Sequence, residues 1–140
     1  MTQFSPREIL LAFAEHGVQF VLISGVAMQV HASPRITMDL DLTVTFEQDN
    51  RERLAAALAE VDARLIGPNG EIAASPPSAS FLGGGDIWFF QTRFGKLDIV
   101  SPPLGSSSFE GLRDRAVEVQ LGDLTVPVAS REDMIQMKRA

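Results

Sequence analysis

Apolar and polar positions alternate from Met38 to Thr45. Met38, Leu40, Leu42 and Val44 fall on one side, and Asp39, Asp41, Thr43 and Thr45 on the other. A period of two is that of a β-strand, so the spacing predicts a half-buried strand with one core face and one polar face. Upstream, Ser5-Pro6-Arg7-Glu8 reads as a helix start, with Ser5 as N-cap, Pro6 at the first helical position and Glu8 closing a capping box. Ile9, Leu10, Phe13 and Ala14 give that helix one apolar face, and Gly17 is placed to end it. Val18 to Ile23 is apolar and β-branched enough for a buried strand. Ser24-Gly25 stops it, and Val26 to His31 reads as a short helix.

Beyond the alternating strand, Asn50 to Leu65 is rich in Ala, Leu, Arg and Glu and predicts an amphipathic helix capped by Asp49 or Asn50. Gly67-Pro68-Asn69-Gly70 is expected to end it with turn chemistry. Ala73 to Gly85 is small, Pro-rich and Gly-rich, a loop composition. Ile87 to Arg93 and Leu97 to Val100 predict two strands joined through Phe94-Gly95-Lys96, and Ala116 to Val128 a second pair around Gly122-Asp123. Ser130-Arg131-Glu132-Asp133 caps a last helix. The cluster Trp88-Phe89-Phe90 is expected in the core rather than as a base-stacking platform.

These elements predict an α/β (α+β) fold, a short mixed sheet backed on one side by the helices near Pro6, Asn50 and Arg131. The expectation is a single domain over residues 1–140, since a chain of 140 residues buries one modest core. With 45% hydrophobic and 21% charged residues the composition is globular. A net charge of −6 argues against affinity built on a broad basic face, so any nucleic-acid contact must be local. The chain has no Cys and only two His, which leaves no thiolate site and disfavours zinc. The apolar stretch from Phe20 to Val30 is interrupted and too short to span a bilayer, and the N-terminal residues do not form a signal peptide. A cytoplasmic protein is the expectation.

The chemistry concentrates on the alternating strand. Asp39 and Asp41 are two residues apart, so both carboxylates leave one face, about 7 Å apart at the backbone. Paired carboxylates repel unless a cation lies between them, and hard divalent ions take such oxygen ligands. Such a pair is also met on ordinary solvated strand faces. Just upstream, Leu22 to Ala27 runs from strand through a tight turn into a helix, a geometry whose backbone N–H groups hold phosphate.

The run LISGVAMQVHASPRITMDLDL, from Leu22 to Leu42, resembles the signature of the DNA polymerase β-like nucleotidyltransferase superfamily. It is most similar to the branch of abortive-infection toxins and minimal nucleotidyltransferases, whose motif commonly reads Gly-Gly, then Arg, Thr and Asp-x-Asp. The turn here is Ser24-Gly25 in place of Gly-Gly or Gly-Ser. The resemblance implies a nucleotidyltransferase fold in which Ser24 and Gly25 bind phosphate, Arg35 and Thr37 lie beside the site, and Asp39 and Asp41 hold metal. It implies a third carboxylate from a later strand. Asp98, in Lys96-Leu97-Asp98-Ile99-Val100, fits that role, sharing a face with Lys96 while Leu97 and Ile99 point inward. Asp86 sits among glycines, where a turn role suits it better. Lys138, on the last helix, matches a stretch that brings a lysine to the nucleotide in related proteins, although a lysine there also suits the helix dipole. His31 more simply ends its helix.

The activity implied is Mg²⁺- or Mn²⁺-dependent attack of an acceptor hydroxyl on the α-phosphorus of a nucleoside triphosphate such as ATP, with pyrophosphate leaving. In that scheme one ion sits on Asp39 and Asp41 and a second is shared with Asp98. The acceptor expected from toxin-type relatives is tRNA or another RNA, with protein as an alternative, and the partners expected are an antitoxin or a second copy of the chain. A continuation beyond Ala140 could also complete the site. Two rivals stand beside this reading: a catalytically weak relative that binds a nucleotide or a partner, and a small-molecule, aminoglycoside-type nucleotidyltransferase.

Overall fold

The computed structural model describes residues 5–23, 39–83, 87–101 and 109–139, the side chains of Asp39 and of Met137 to Arg139 excepted. Seven described strands enter one sheet: β1 (Phe20–Ile23), β2 (Asp39–Val44), β3 (Arg64–Leu65), β4 (Ile87–Thr92), β5 (Gly95–Val100), β6 (Val117–Leu121) and β7 (Leu124–Val128), in the order β3-β4-β5-β2-β1-β7-β6. The described helices are α1 (Pro6–Glu15), α2 (Gln48–Glu60), α3 (Ala79–Leu82), α4 (Phe109–Arg115) and α5 (Arg131–Arg139). The sheet is mixed. The β2–β5 and β1–β7 pairs are parallel, whereas β1–β2 and the two hairpins, β4–β5 and β6–β7, are antiparallel.

The core lies on the sheet face carrying Leu22, Leu40, Leu42, Leu97, Ile99 and Phe90, all 0% exposed. Helix α1 brings Ile9, Leu10 and Phe13 to this core, with Phe13 edge-on to Phe20 at 5.8 Å. Helix α2 adds Leu54, Ala57 and Leu58. Both helices end alike. In α1, Gly17 takes φ +70° while Val18 N–H donates to the Phe13 carbonyl, and in α2, Asp62 takes φ +53° while Ala63 N–H donates to the Leu58 carbonyl. This left-handed closure with its backward hydrogen bond satisfies carbonyls the helix would leave orphaned.

Several local expectations are corrected. Ser5 precedes α1 but forms no side-chain cap. Its N–H donates to the Phe94 carbonyl and its own carbonyl receives the Glu8 N–H, so the backbone does the work of the expected capping box, and Glu8 pairs with Arg7 instead. Helix α2 begins at Gln48 and stops at Glu60, because Asp62 adopts the left-handed conformation that the sequence reading reserved for glycine. Leu65 therefore belongs to β3, and Gly67 to Gly70 turns the chain after that strand, through a Gly70 N–H to Gly67 carbonyl bond. The loop from Ala73 contains the single turn α3, capped by Ser78 at 3.2 Å from Phe81 N. The helix expected over Val26 to His31 lies outside the described residues.

Asn50 is no cap. It is buried within α2, where its side-chain oxygen accepts the Gln19 N–H at 2.7 Å and its amide donates to the Gln19 and Thr45 carbonyls at 3.1 and 2.8 Å. One side chain thus pins the start of β1 to the end of β2. Asn50→Ala is expected to lower stability by about 2–4 kcal/mol, since buried backbone groups lose their partners. Urea denaturation checks it; a loss below ~1 kcal/mol would mean that the freed groups find other partners.

At the surface, Arg7 of α1 pairs with Asp123 in the β6–β7 turn. The Arg7 hydrogen bond holds the Asp123 carboxyl below its ordinary range.

Candidate active site

Strand register places the predicted acidic residues. Residues paired across neighbouring strands share a face, so the pairings define rows running across the sheet. The central row reads Phe89, Asp98, Asp41, Ile23 from β4 to β1. On one side of it runs the row Arg64, Gln91, Lys96, Asp39, and on the other the row Ile87, Val100, Thr43, Val21. Asp41 and Asp98 are direct partners on adjacent parallel strands, which sit roughly 4.8 Å apart. The Asp39 position lies two residues back along β2, on the same face.

Along β4, β5 and β2 this face is the reverse of the one carrying Phe90, Leu97 and Leu40, while at its β1 end Val21 and Ile23 are themselves part of the core. Leu97 and Ile99, flanking Asp98 in β5, are fully buried on the other side, as expected. Exposure rises across the rows toward the β4 edge: Val21 and Thr43 are buried, Asp41, Asp98 and Val100 half-buried, Lys96, Phe89 and Ile87 exposed. The Thr43 hydroxyl donates to the Val100 carbonyl at 2.9 Å, tying β2 to β5 two pairs beyond the carboxylates. The Asp41 Oδ1 atom is shielded from solvent. Two carboxylates this close repel in a medium less polar than water, and a divalent cation with hard oxygen preference suits their donor set. Among the described residues no group of three His, Cys, Asp or Glu side chains gathers to hold an ion; the side chain of the third predicted ligand, Asp39, is outside that set.

A family model for the AbiEii nucleotidyl transferase toxins of type IV toxin–antitoxin systems matches residues 8–138. The chain belongs to this AbiEii family of nucleotidyltransferases. The crystal structure of a candidate nucleotidyltransferase from Thermotoga maritima matches with a TM-score of 0.62 at 13% identity, covering 96% of this chain and 80% of that one. At that identity the likeness speaks to the fold, which is the nucleotidyltransferase fold expected from the sequence. No curated protein matches the chain significantly.

In this AbiEii-family chain, Ser24, Gly25, Arg35 and Thr37 lie outside the described residues, as do His31 and Asp86. The segment that carries the first four leaves β1 at Ile23 and re-enters β2 at Asp39, and Ile23 is the register partner of Asp41, so both of its ends are anchored at the acidic residues. Lys138 falls in α5, with its side chain outside the description. The start of α5 is fixed from two directions. Ser130 Oγ accepts the Asp133 N–H at 3.1 Å, and the buried Asp133 carboxylate takes both arms of the Arg115 guanidinium at 2.8 and 3.0 Å. That hydrogen bond raises the Arg115 pKa further above its ordinary value. A buried carboxylate needs such a partner, and the bidentate fork suits it.

The expectation that Trp88, Phe89 and Phe90 are all core is corrected for one of them. Trp88 and Phe90 are buried, but Phe89, between them, is 49% exposed on the acidic face beside Asp98. The run Ile87 to Phe90 is apolar throughout, and the hairpin register supplies the distinction, because a residue paired with Asp98 must share its face. Among the described residues no helix is long and apolar enough to cross a membrane.

Proposed function

We propose that this nucleotidyltransferase transfers a nucleoside monophosphate from a nucleoside triphosphate to an acceptor hydroxyl, with Asp39, Asp41 and Asp98 as its acidic centre. The observation that carries the proposal is the register pairing of Asp41 with Asp98 on one sheet face, with the Asp39 position two residues back. An all-oxygen set of this kind fits Mg²⁺ or Mn²⁺, and such an ion, when bound, neutralises phosphate charge and lowers the pKa of a bound hydroxyl.

The chain's own residues do the rest. Ser24 and Gly25, which follow Ile23 in the sequence, would hold the triphosphate through their backbone N–H groups. Asp98, on the other side of Asp41, would accept the proton of the acceptor hydroxyl. The hydroxyl oxygen then bonds to the α-phosphorus as the bond to the bridging oxygen breaks, and the electron pair leaves with pyrophosphate. Arg35 and Lys138 would offset the charge of the leaving group, with Thr37 beside the site. The family's type IV toxin–antitoxin setting supports an antitoxin as a partner.

Incubation with each radiolabelled nucleoside triphosphate, Mg²⁺ and total cellular RNA tests the proposal. Label is expected in RNA, and no labelled macromolecule from any triphosphate would overturn it. A second expectation concerns the turn, where a Cβ would crowd the phosphate. Gly25→Val should weaken nucleotide binding roughly tenfold or more while the melting temperature of the free protein is retained. Titration calorimetry reads this directly, and wild-type affinity in the variant would make the turn purely structural.

A further inference from the structure

We infer that Phe89, with Ile87 beside it, forms a ledge on which an unpaired base of an RNA acceptor stacks next to Asp98. This inference rests on the proposed transfer reaction and extends it to the acceptor side. Strand β4 places Ile87 and Phe89 on the acidic face, 54% and 49% exposed, while its alternate residues Trp88 and Phe90 face the core. Ile87 and Phe89 stand two apart on one strand face, so their exposed surfaces form one apolar patch, which is more informative than a single exposed side chain.

Its position sets the ligand. Across the central row the order is Phe89, Asp98, Asp41, Ile23, so the ledge lies on the far side of Asp98 from Asp41 and Ile23. With Asp98 receiving the acceptor's proton, as proposed above, the group next to Phe89 belongs to the acceptor. The flanking row adds Gln91, Lys96 and Arg64 on the same face, Lys96 exposed and Arg64 partly so beside Asp62. A flat aromatic surface bordered by a few cations and an amide is the chemistry that holds single-stranded RNA, the ring stacking on a base and the cations meeting its phosphates. It is a local cationic border on a chain of net charge −6, as a local contact requires. Next to Phe89 the chain continues the sheet through Ile66, whose N–H donates to the Phe89 carbonyl and which bridges in turn to Ile72.

The test is binding of a fluorescein-labelled single-stranded oligoadenylate to the full chain, followed by anisotropy without triphosphate. Phe89→Ala should weaken it about 10-fold or more, and Phe89→Trp should restore it, since one base–aromatic stack is lost and regained. A duplex of the same length, its bases already paired, should bind more weakly than the single strand. Where the wild type transfers label to RNA, Phe89→Ala should raise the KM for that acceptor and leave the KM for triphosphate unchanged. Unchanged oligonucleotide binding in Phe89→Ala, equal binding of the duplex, or a rise in the triphosphate KM would each overturn the inference. Absence of transfer in a wild type that binds oligoadenylate through Phe89 would instead overturn the transfer reaction and leave the ledge standing.

Discussion

Asp41→Asn and Asp98→Asn are each expected to reduce nucleotide transfer by roughly 10²- to 10⁴-fold, the cost of removing a group that acts on the reacting centre. Both residues sit on one face as direct partners of adjacent strands, half-buried and with Thr43 bracing the strands beside them. Clustered anions repel in the metal-free protein, so these substitutions should leave its melting temperature unchanged or slightly raised. A structural aspartate behaves in the opposite way, since losing a cap costs ~1 kcal/mol and spares the chemistry. Asp86→Asn is the control, with near-normal transfer expected. Paired transfer assays and melting curves decide the matter: full activity in Asp98→Asn together with a dead Asp86→Asn would assign the third carboxylate to Asp86.

The second large effect is on stability and separates two consecutive phenylalanines. Phe90 is fully buried opposite Leu97, while Phe89 points to the open face. Phe90→Ala should cost about 3–5 kcal/mol, from lost transfer energy and the cavity left behind. For a chain of this size that is a fall of roughly 10–20 °C in melting temperature. Phe89→Ala should change stability by less than ~1 kcal/mol. Differential scanning calorimetry on the two variants reads the orientation of β4 in solution. Equal losses would place Phe89 against protein and remove the ledge.

The contrast between these neighbours shows what the sequence reveals and what it withholds. The alternation in β2 and the turn at Gly122-Asp123 were legible, because each is a local rule; the first hairpin differs from the expected connection through Phe94-Gly95-Lys96, since it turns at Arg93-Phe94 and Gly95 and Lys96 already pair within β5. The inward Leu97 and Ile99 followed from the same rule. The run from Ile87 to Phe90 is apolar on both faces, and only its pairing with Asp98 separates core from site. Asn50 looked like a cap because asparagine favours caps, while its actual partners, Gln19 and Thr45, are set by tertiary packing. Helix α4 went unread: it is only seven residues long, contains Gly111 and follows a stretch rich in Pro and Ser. Of the candidate site, the acidic residues were legible from spacing and from the resemblance to nucleotidyltransferases; the exposed aromatic beside them needed the hairpin register.

The parallel junction of β2 with β5 also governs when the acidic face can exist. Asp41 and Asp98 are separated by 57 positions, with two helices, a short strand and a hairpin partner between them. Bringing such distant segments together costs loop-closure entropy before any contact rewards it, so this junction is a slow step of folding. During synthesis β2 can pair with β1 as soon as both have emerged, but that pair carries only half of the acidic row. A nascent chain therefore holds no assembled centre until β5 has docked. For a member of a toxin family, the distance along the chain is itself a delay on activity, imposed by topology without any second protein.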